Sequence, residues 1–385
     1  MDNVIDTLPV FYLERWQSLR ETSARIQLSE SGVEPISIAE LEEICRCKII
    51  DNELRLGYGW TKGSPRLREE IIDLYQEAMG ADNVLITTGS AEANLLTVLT
   101  LVKDGDYVIV DMPNYMQIPG LLRWRNARVI ELWRKSSSGF TIPMGELEEL
   151  VKRYRPCAIF ITNPNNPTGA ILEEKELEEI ACIASSTGSI LVFDEVYRGL
   201  EHDGITRPSI IDVAGLETAV SVSGLSKVYG LPGLRIGWVV ASERLIEKMW
   251  SLKDYTSISP AIMSDYIASI ALRRDVREKL VRRSRRIVLR DKELMLEILG
   301  DKDDLLKIHV PRAGAYFYAY VPWSTDTLNL CERLYEKHSI LVNPGECFDM
   351  PGYIRVGMGQ EPSKYAENIM MFLKALEELK KASAS

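Results

Sequence analysis

The chain has 385 residues, 46% of them hydrophobic and 26% charged, and a formal net charge of −10. That composition fits a globular protein with a large core, arranged as two or three domains or as one large α/β domain with a smaller companion. No run of about 18 apolar residues occurs, so no membrane-spanning helix is expected, and the negative charge argues against general nucleic-acid binding.

The first segment, MDNVIDTLPVFYLERW, is acidic and has neither the basic start nor the apolar core of a signal peptide, so a cytoplasmic location is expected. Six short runs then read as buried strands: NVLITT (83–88), YVIVDM (107–112), CAIFIT (157–162), ILVFDE (190–195), AVSVSG (219–224) and IGWVVA (236–241). They are β-branched and almost continuously apolar, as in a sheet covered on both faces. Amphipathic stretches such as AEANLLTVLTLVKDG (91–105) and EEKELEEIACIASSTG (173–188) lie between them. This alternation predicts a doubly wound, mostly parallel sheet with right-handed crossovers, over residues 46–285. RRDVREKLVRRSRR (273–286) reads as a solvated helix face. LRDKELMLEILG (289–300), AYFYAYVP (315–322), YIRVGMG (353–359) and a helix from about Lys364 to Lys381 form a smaller α+β domain, 286–385, which residues 1–45 are expected to join. The six cysteines and three histidines have no metal-ligand or disulfide spacing, so neither a structural metal nor a disulfide framework is expected.

Ligands bind such sheets at the carboxyl ends of the strands. The first strand ends in TTGSAEAN, where Gly89, Ser90 and Ala91 open a helix suited to a phosphate; a serine there also suits a plain N-cap. CAIFIT runs into the elaborate turn NPNNPTG, and ILVFDE places Asp194 and Tyr197 beyond its strand. AVSVSG leads to Ser226, Lys227 and then Arg235 among small residues that leave room for a ligand. A lysine can condense with an aldehyde, a carboxylate can keep a pyridine nitrogen protonated, and an arginine with a helix start can grip a phosphate. Those three demands describe pyridoxal 5′-phosphate.

With NPNNPTG, DEVY, SGLSKVYGLPGLRIGW and YIRVGMG in this order, the chain resembles the fold-type-I pyridoxal-phosphate enzymes, specifically the class I and II aminotransferases, from about residue 27 onward. The resemblance implies a main sheet of seven strands, and that Lys227 joins the cofactor aldehyde as a Schiff base and, once freed, moves the substrate's α-proton. It implies that Asp194 pairs with the pyridine nitrogen, that Asn166 and Tyr197 bond the ring hydroxyl oxygen, and that Tyr115 stacks on the ring. Ser90, Ala91, Ser226 and Arg235 would hold the phosphate, with Tyr58 reaching it from the partner subunit of a homodimer. Arg355 would take the substrate α-carboxylate, with Asn166 beside it and Gly32 closing over it. Three positions depart from the pattern: Gly224 stands where many relatives have serine, and Glu346 and Cys347 follow the Pro-Gly of VNPGECFDMPG. The segment FYLERWQSLRETSARIQLSESGVEP is similar to the arginine-acting branch of the fold, which includes capreomycidine synthases and arginine oxidases.

The expected activity is transfer of an amino group from an L-amino acid to a 2-oxo acid by a ping-pong route. The alternative is another reaction of the same cofactor on an amino acid, such as elimination, cyclisation or oxidation, with arginine among the candidate substrates. A regulator built on this fold carries a basic winged-helix domain ahead of it, for which the N-terminal flank is too short. No second arginine for a dicarboxylate side chain is identifiable. Glu14 and Glu30 are positioned to meet a cationic side chain if their segment covers the site, and otherwise are surface charge.

Overall fold

The computed structural model describes residues 8–383. The first seven residues, which carry part of the cytoplasmic expectation, and the end of the KKASAS tail lie outside the described residues. The main sheet has seven strands: β1 (Val84–Thr88), β2 (Tyr107–Met112), β3 (Arg128–Trp133), β4 (Ala158–Thr162), β5 (Ile190–Asp194), β6 (Ala219–Gly224) and β7 (Ile236–Val240). Their order is β1-β7-β6-β5-β4-β2-β3. Strand β7 runs antiparallel to both neighbours, and every other pairing is parallel. All six runs read from the sequence are strands, within a residue at each end. The seventh, β3, is an edge strand whose residues are mostly only partly buried, so RVIELW lacks the unbroken apolar character of the others.

The inner strands are apolar throughout because both faces of the sheet are covered. Leu85, Val110, Phe160, Val192, Val220 and Val239 pack on one side, and Ile86, Ile109, Ile161, Phe193 and Trp238 on the other. Helix α1 (Tyr12–Ser18) lies ahead of the sheet, α2 (Gly89–Leu101) follows β1, and α3 (Gln117–Trp124) follows β2. Gly89 turns the chain from β1 into α2 with φ +75°, and an added Cβ would collide with the Arg235 guanidinium. Gly224 is explained in the same way. A Cβ there would lie 3.1 Å from the Ile236 carbonyl and 3.3 Å from Gly237 Cα, so the close approach of β6 and β7 leaves little room for the serine.

Residues Arg274–Leu299 form one continuous 26-residue helix, α4. Its arginines are not simply solvated. Arg274 and Arg277 share Asp73, Arg283 reaches Glu40, and Arg285 pairs with the buried Glu201. Beyond it, β8 (Lys307–His309), β9 (Tyr316–Tyr320), β10 (Asn343–Pro344) and β11 (Tyr353–Gly357) make an antiparallel sheet in the order β10-β11-β9-β8. Helix α5 (Pro362–Ser383) packs against α4. The N-terminal segment is stitched to this C-terminal part. Ile26 and Gln27 pair in parallel with Ile340 and Leu341, the Trp16 indole donates to the Val342 carbonyl at 2.9 Å, and Glu34 N donates to Gly359 O at 2.6 Å.

Candidate active site

One cavity at the carboxyl ends of β1, β4 and β5 gathers Glu14, Ser90, Ala91, Tyr115, Asn166, Asp194, Tyr197, Lys227 and Arg355. Their placement follows from the strand ends. Asp194 closes β5, Asn166 lies four residues past β4, and Lys227 lies three past β6. Arg355 comes from the other sheet, on β11, and crosses to the cavity.

Asp194 is buried, and its two oxygens accept only neutral donors: the Asn94 amide at 3.1 Å and the Val196 N–H at 3.2 Å. Burial pushes its carboxyl above the usual aspartate range, while those two hydrogen bonds and the Lys227 charge pull it down. Lys227 donates from Nζ to the Ser31 hydroxyl at 2.9 Å. Arg355 is 1% exposed, and its partners are the Asn166 side-chain oxygen and the Ser29 carbonyl, each at 2.8 Å. It has no carboxylate partner among the described residues, and its Nε is buried without an acceptor. Its charge is flanked by the Tyr316 and Phe348 rings, with centroids 5.6 and 5.2 Å away. A buried guanidinium with only neutral partners is half of an ion pair.

Tyr197 is buried, meets Tyr316 edge to face at 5.1 Å, and its hydroxyl has no partner. Tyr115 packs edge to face against Phe11 and donates to Glu14 Oε1 at 2.7 Å. Burial, then the Glu14 carboxylate, hold the Tyr115 phenol well above the usual tyrosine range.

Four expected residues lie outside this cavity. Gly32 and Ser226 line a neighbouring one that also reaches Lys227, and a Cβ on Gly32 would lie 3.3 Å from the Ser226 carbonyl. Arg235 and Tyr58 share a surface groove with Thr88 and Ser257 at the other side of the α2 start. Tyr58 is 88% exposed and does not line the cavity of its own chain. Sequence reasoning missed Ser29, Ser31, Asn94 and Tyr316. Asn94 was legible in principle, since it follows Ser90 by one helical turn on the same face. The serines of SESG carried no such signal.

Comparison with known proteins gives a consistent result. The family model described as aminotransferase class I and II matches residues 30–370. The chain is 28% identical to capreomycidine synthase of Streptomyces vinaceus, over 91% of this chain and 89% of that protein. It is 27% identical to aromatic-amino-acid aminotransferase 2 of Thermococcus litoralis, over 84% and 86% of the two chains. Among solved structures, a PLP-dependent aminotransferase from Streptococcus suis is 28% identical and superposes with a TM-score of 0.90, covering 96% of this chain and 98% of that one.

Proposed function

The chain belongs to the aminotransferase class I and II family, enzymes that move amino groups between amino acids and 2-oxo acids with pyridoxal 5′-phosphate, and from that premise we propose that Lys227, Asp194 and Arg355 are the charges around which it works. The residues present fit the cofactor. An acceptor carboxylate, an amine and the unpartnered Tyr197 hydroxyl share one cavity, and the α2 start, which has no side-chain cap, carries Ser90 and has the Arg235 guanidinium beside Gly89. Bound there, the cofactor supplies an aldehyde that captures amines and an electron-poor ring that stabilises charge at the substrate's α-carbon.

In this reading Arg355 binds the α-carboxylate, the anion its burial leaves wanting, and Asn166 keeps its N–H₂ free because its oxygen is already taken by Arg355. Tyr197 and Asn166 would hold the ring oxygen, Asp194 the ring nitrogen, and Tyr115 the ring face. Lys227 would hold the cofactor's aldehyde end and is the amine placed to move the substrate's α-proton as general base. Gly32 closes over the carboxylate. Residues 46–285 form the cofactor-binding domain, and 1–45 with 286–385 the smaller one.

Among the described residues the only cations lining the cavity are Lys227 and Arg355, whereas Glu14 and Glu30 line it from the N-terminal segment. This favours an amino-acid side chain that is neutral or cationic over one with a second carboxylate. The protein is a cytoplasmic homodimer in this proposal. The exposed Leu56, Tyr58 and Trp60 support an apolar contact beside Arg235, through which Tyr58 reaches the phosphate of the neighbouring subunit.

The buried, carboxylate-free Arg355 carries the reading. Its test is to mix the holoenzyme with single amino acids and follow the cofactor's absorbance, with and without oxygen. Conversion in the absence of oxygen, reversed by a 2-oxo acid and abolished in Lys227→Ala, is the expected result. Product formation that needs oxygen would overturn transamination in favour of oxidation.

A further inference from the structure

We infer that Asn94 is a positioning residue which, together with Gln117, presents Asp194 to the cofactor's pyridine nitrogen as an ionised acceptor. The inference rests on the proposed role of Asp194 and adds two residues to which the sequence analysis gave no role.

The relay starts at a group whose hydrogen-bonding sense is fixed. The Ala91 carbonyl can only accept, and Gln117 Nε2 lies 2.9 Å from it. The Gln117 oxygen must therefore face the other way, where Asn94 Nδ2 lies 3.3 Å from it. That fixes the Asn94 amide in turn, and its second N–H falls to Asp194 Oδ2 at 3.1 Å. The other Asp194 oxygen takes the Val196 N–H. Asp194 thus meets donors on both oxygens and accepts no arginine or lysine hydrogen bond among the described residues. Donors at both oxygens favour the carboxylate over the acid, in a place where burial alone would favour the acid.

The position of the relay matters as much as its sense. Asn94 stands on α2, one turn beyond Ser90, and Gln117 opens α3 two residues after Tyr115. Two side-chain amides therefore join the end of β5 to the phosphate-side helix start and to the segment carrying the ring-stacking tyrosine. Asn94 and Asp194 are each 3% exposed, so water does not substitute readily for the amide. A leucine would fill the same space without a donor.

The experiment uses holoenzyme loaded with ¹⁵N-labelled pyridoxal phosphate, as wild type, Asn94→Leu, Asn94→Asp and Gln117→Leu. It reads the pyridine-nitrogen chemical shift, the cofactor dissociation constant and the half-reaction rate with one amino acid, each against pH. In Asn94→Leu the nitrogen is expected to lose its proton at lower pH than in wild type. The half-reaction should slow roughly 10- to 100-fold, the range for losing one hydrogen bond to a charged group. Asn94→Asp should recover only on the acid side, where its carboxyl still carries a donor proton. Gln117→Leu, which frees the Asn94 amide to turn, should give a smaller shift in the same direction and serves if Asn94→Leu does not fold. A pyridine nitrogen that titrates as in wild type in both leucine variants would overturn the inference, as would equal losses in the Leu and Asp variants at every pH. If the wild type itself neither holds the cofactor nor responds to any amino acid, the proposed function fails instead.

Discussion

Arg134 and Asp111 form an ion pair in which neither side chain has any solvent exposure, with Arg134 Nη2 and Nε 2.7 and 2.9 Å from one Asp111 oxygen. The other Asp111 oxygen accepts the Asn114 amide at 2.6 Å and the Thr162 N–H at 3.2 Å. The pair thereby ties the end of β2, just before Tyr115, to the end of β4, just before Asn166.

Arg134→Met is expected to leave Asp111 buried and unpaired and to cost about 3–5 kcal/mol. Denaturant unfolding of the holoenzyme measures this. Loss below about 1 kcal/mol, the level of a surface ion pair, would contradict the structural role.

Arg355→Met separates stability from activity. The guanidinium has no carboxylate partner in the free protein, so an apolar side chain of similar length should leave the melting temperature unchanged or raise it. The same variant should lose roughly 2–5 kcal/mol of transition-state binding for every amino acid, read as kcat/KM. A loss confined to one substrate would place the α-carboxylate elsewhere.

Tyr197→Phe removes a hydroxyl that is buried without a partner. Cofactor-free protein should therefore be as stable or up to about 2 kcal/mol more stable, while cofactor affinity falls. Calorimetry of the apo form and titration with pyridoxal phosphate test the two halves separately.

Asp291, on α4, accepts the Gly359 and Gln360 N–H groups with one oxygen, and the other oxygen is buried without a partner. Burial pushes its carboxyl up to about 7. A raised value means the folded state holds a proton that the unfolded chain releases near pH 4. The stabilisation is complete below about pH 4 and is lost as pH rises through about 7, at roughly 1.4 kcal/mol per unit, with no further loss above. Asp291→Asn keeps an acceptor and removes the titration. The stability of wild type relative to this variant should therefore fall from pH 5 to 7 and then stay level. A relative stability that rises with pH would mean the carboxyl is ionised in the fold.

The strand-end residues were legible because a parallel sheet converts sequence position into place: whatever follows a buried apolar run lies at one edge. Asp194, Asn166 and Lys227 are found together for that reason. Arg355 was legible only through its motif, since it arrives from a different sheet. Ser29 and Ser31 were not legible, because their position depends on pairing between residues 26–27 and 340–341, over three hundred positions apart. Tyr58 illustrates a further limit. Its own chain leaves it exposed, and nothing in the local pattern says what it touches.

The stitching of the N-terminal segment has one more consequence. Gln17 donates to Ser29 O at 2.9 Å and to Asn343 at 3.1 Å, and Arg355 donates to that same Ser29 carbonyl. Glu14, on the helix that carries Gln17, is therefore mounted on the same body as Arg355. If that body shifts against the main sheet, the carboxylate and the guanidinium travel together and the gap between them stays constant. In the proposed reading the pair would then act as a fixed gauge, selecting by length a ligand that spans both ends.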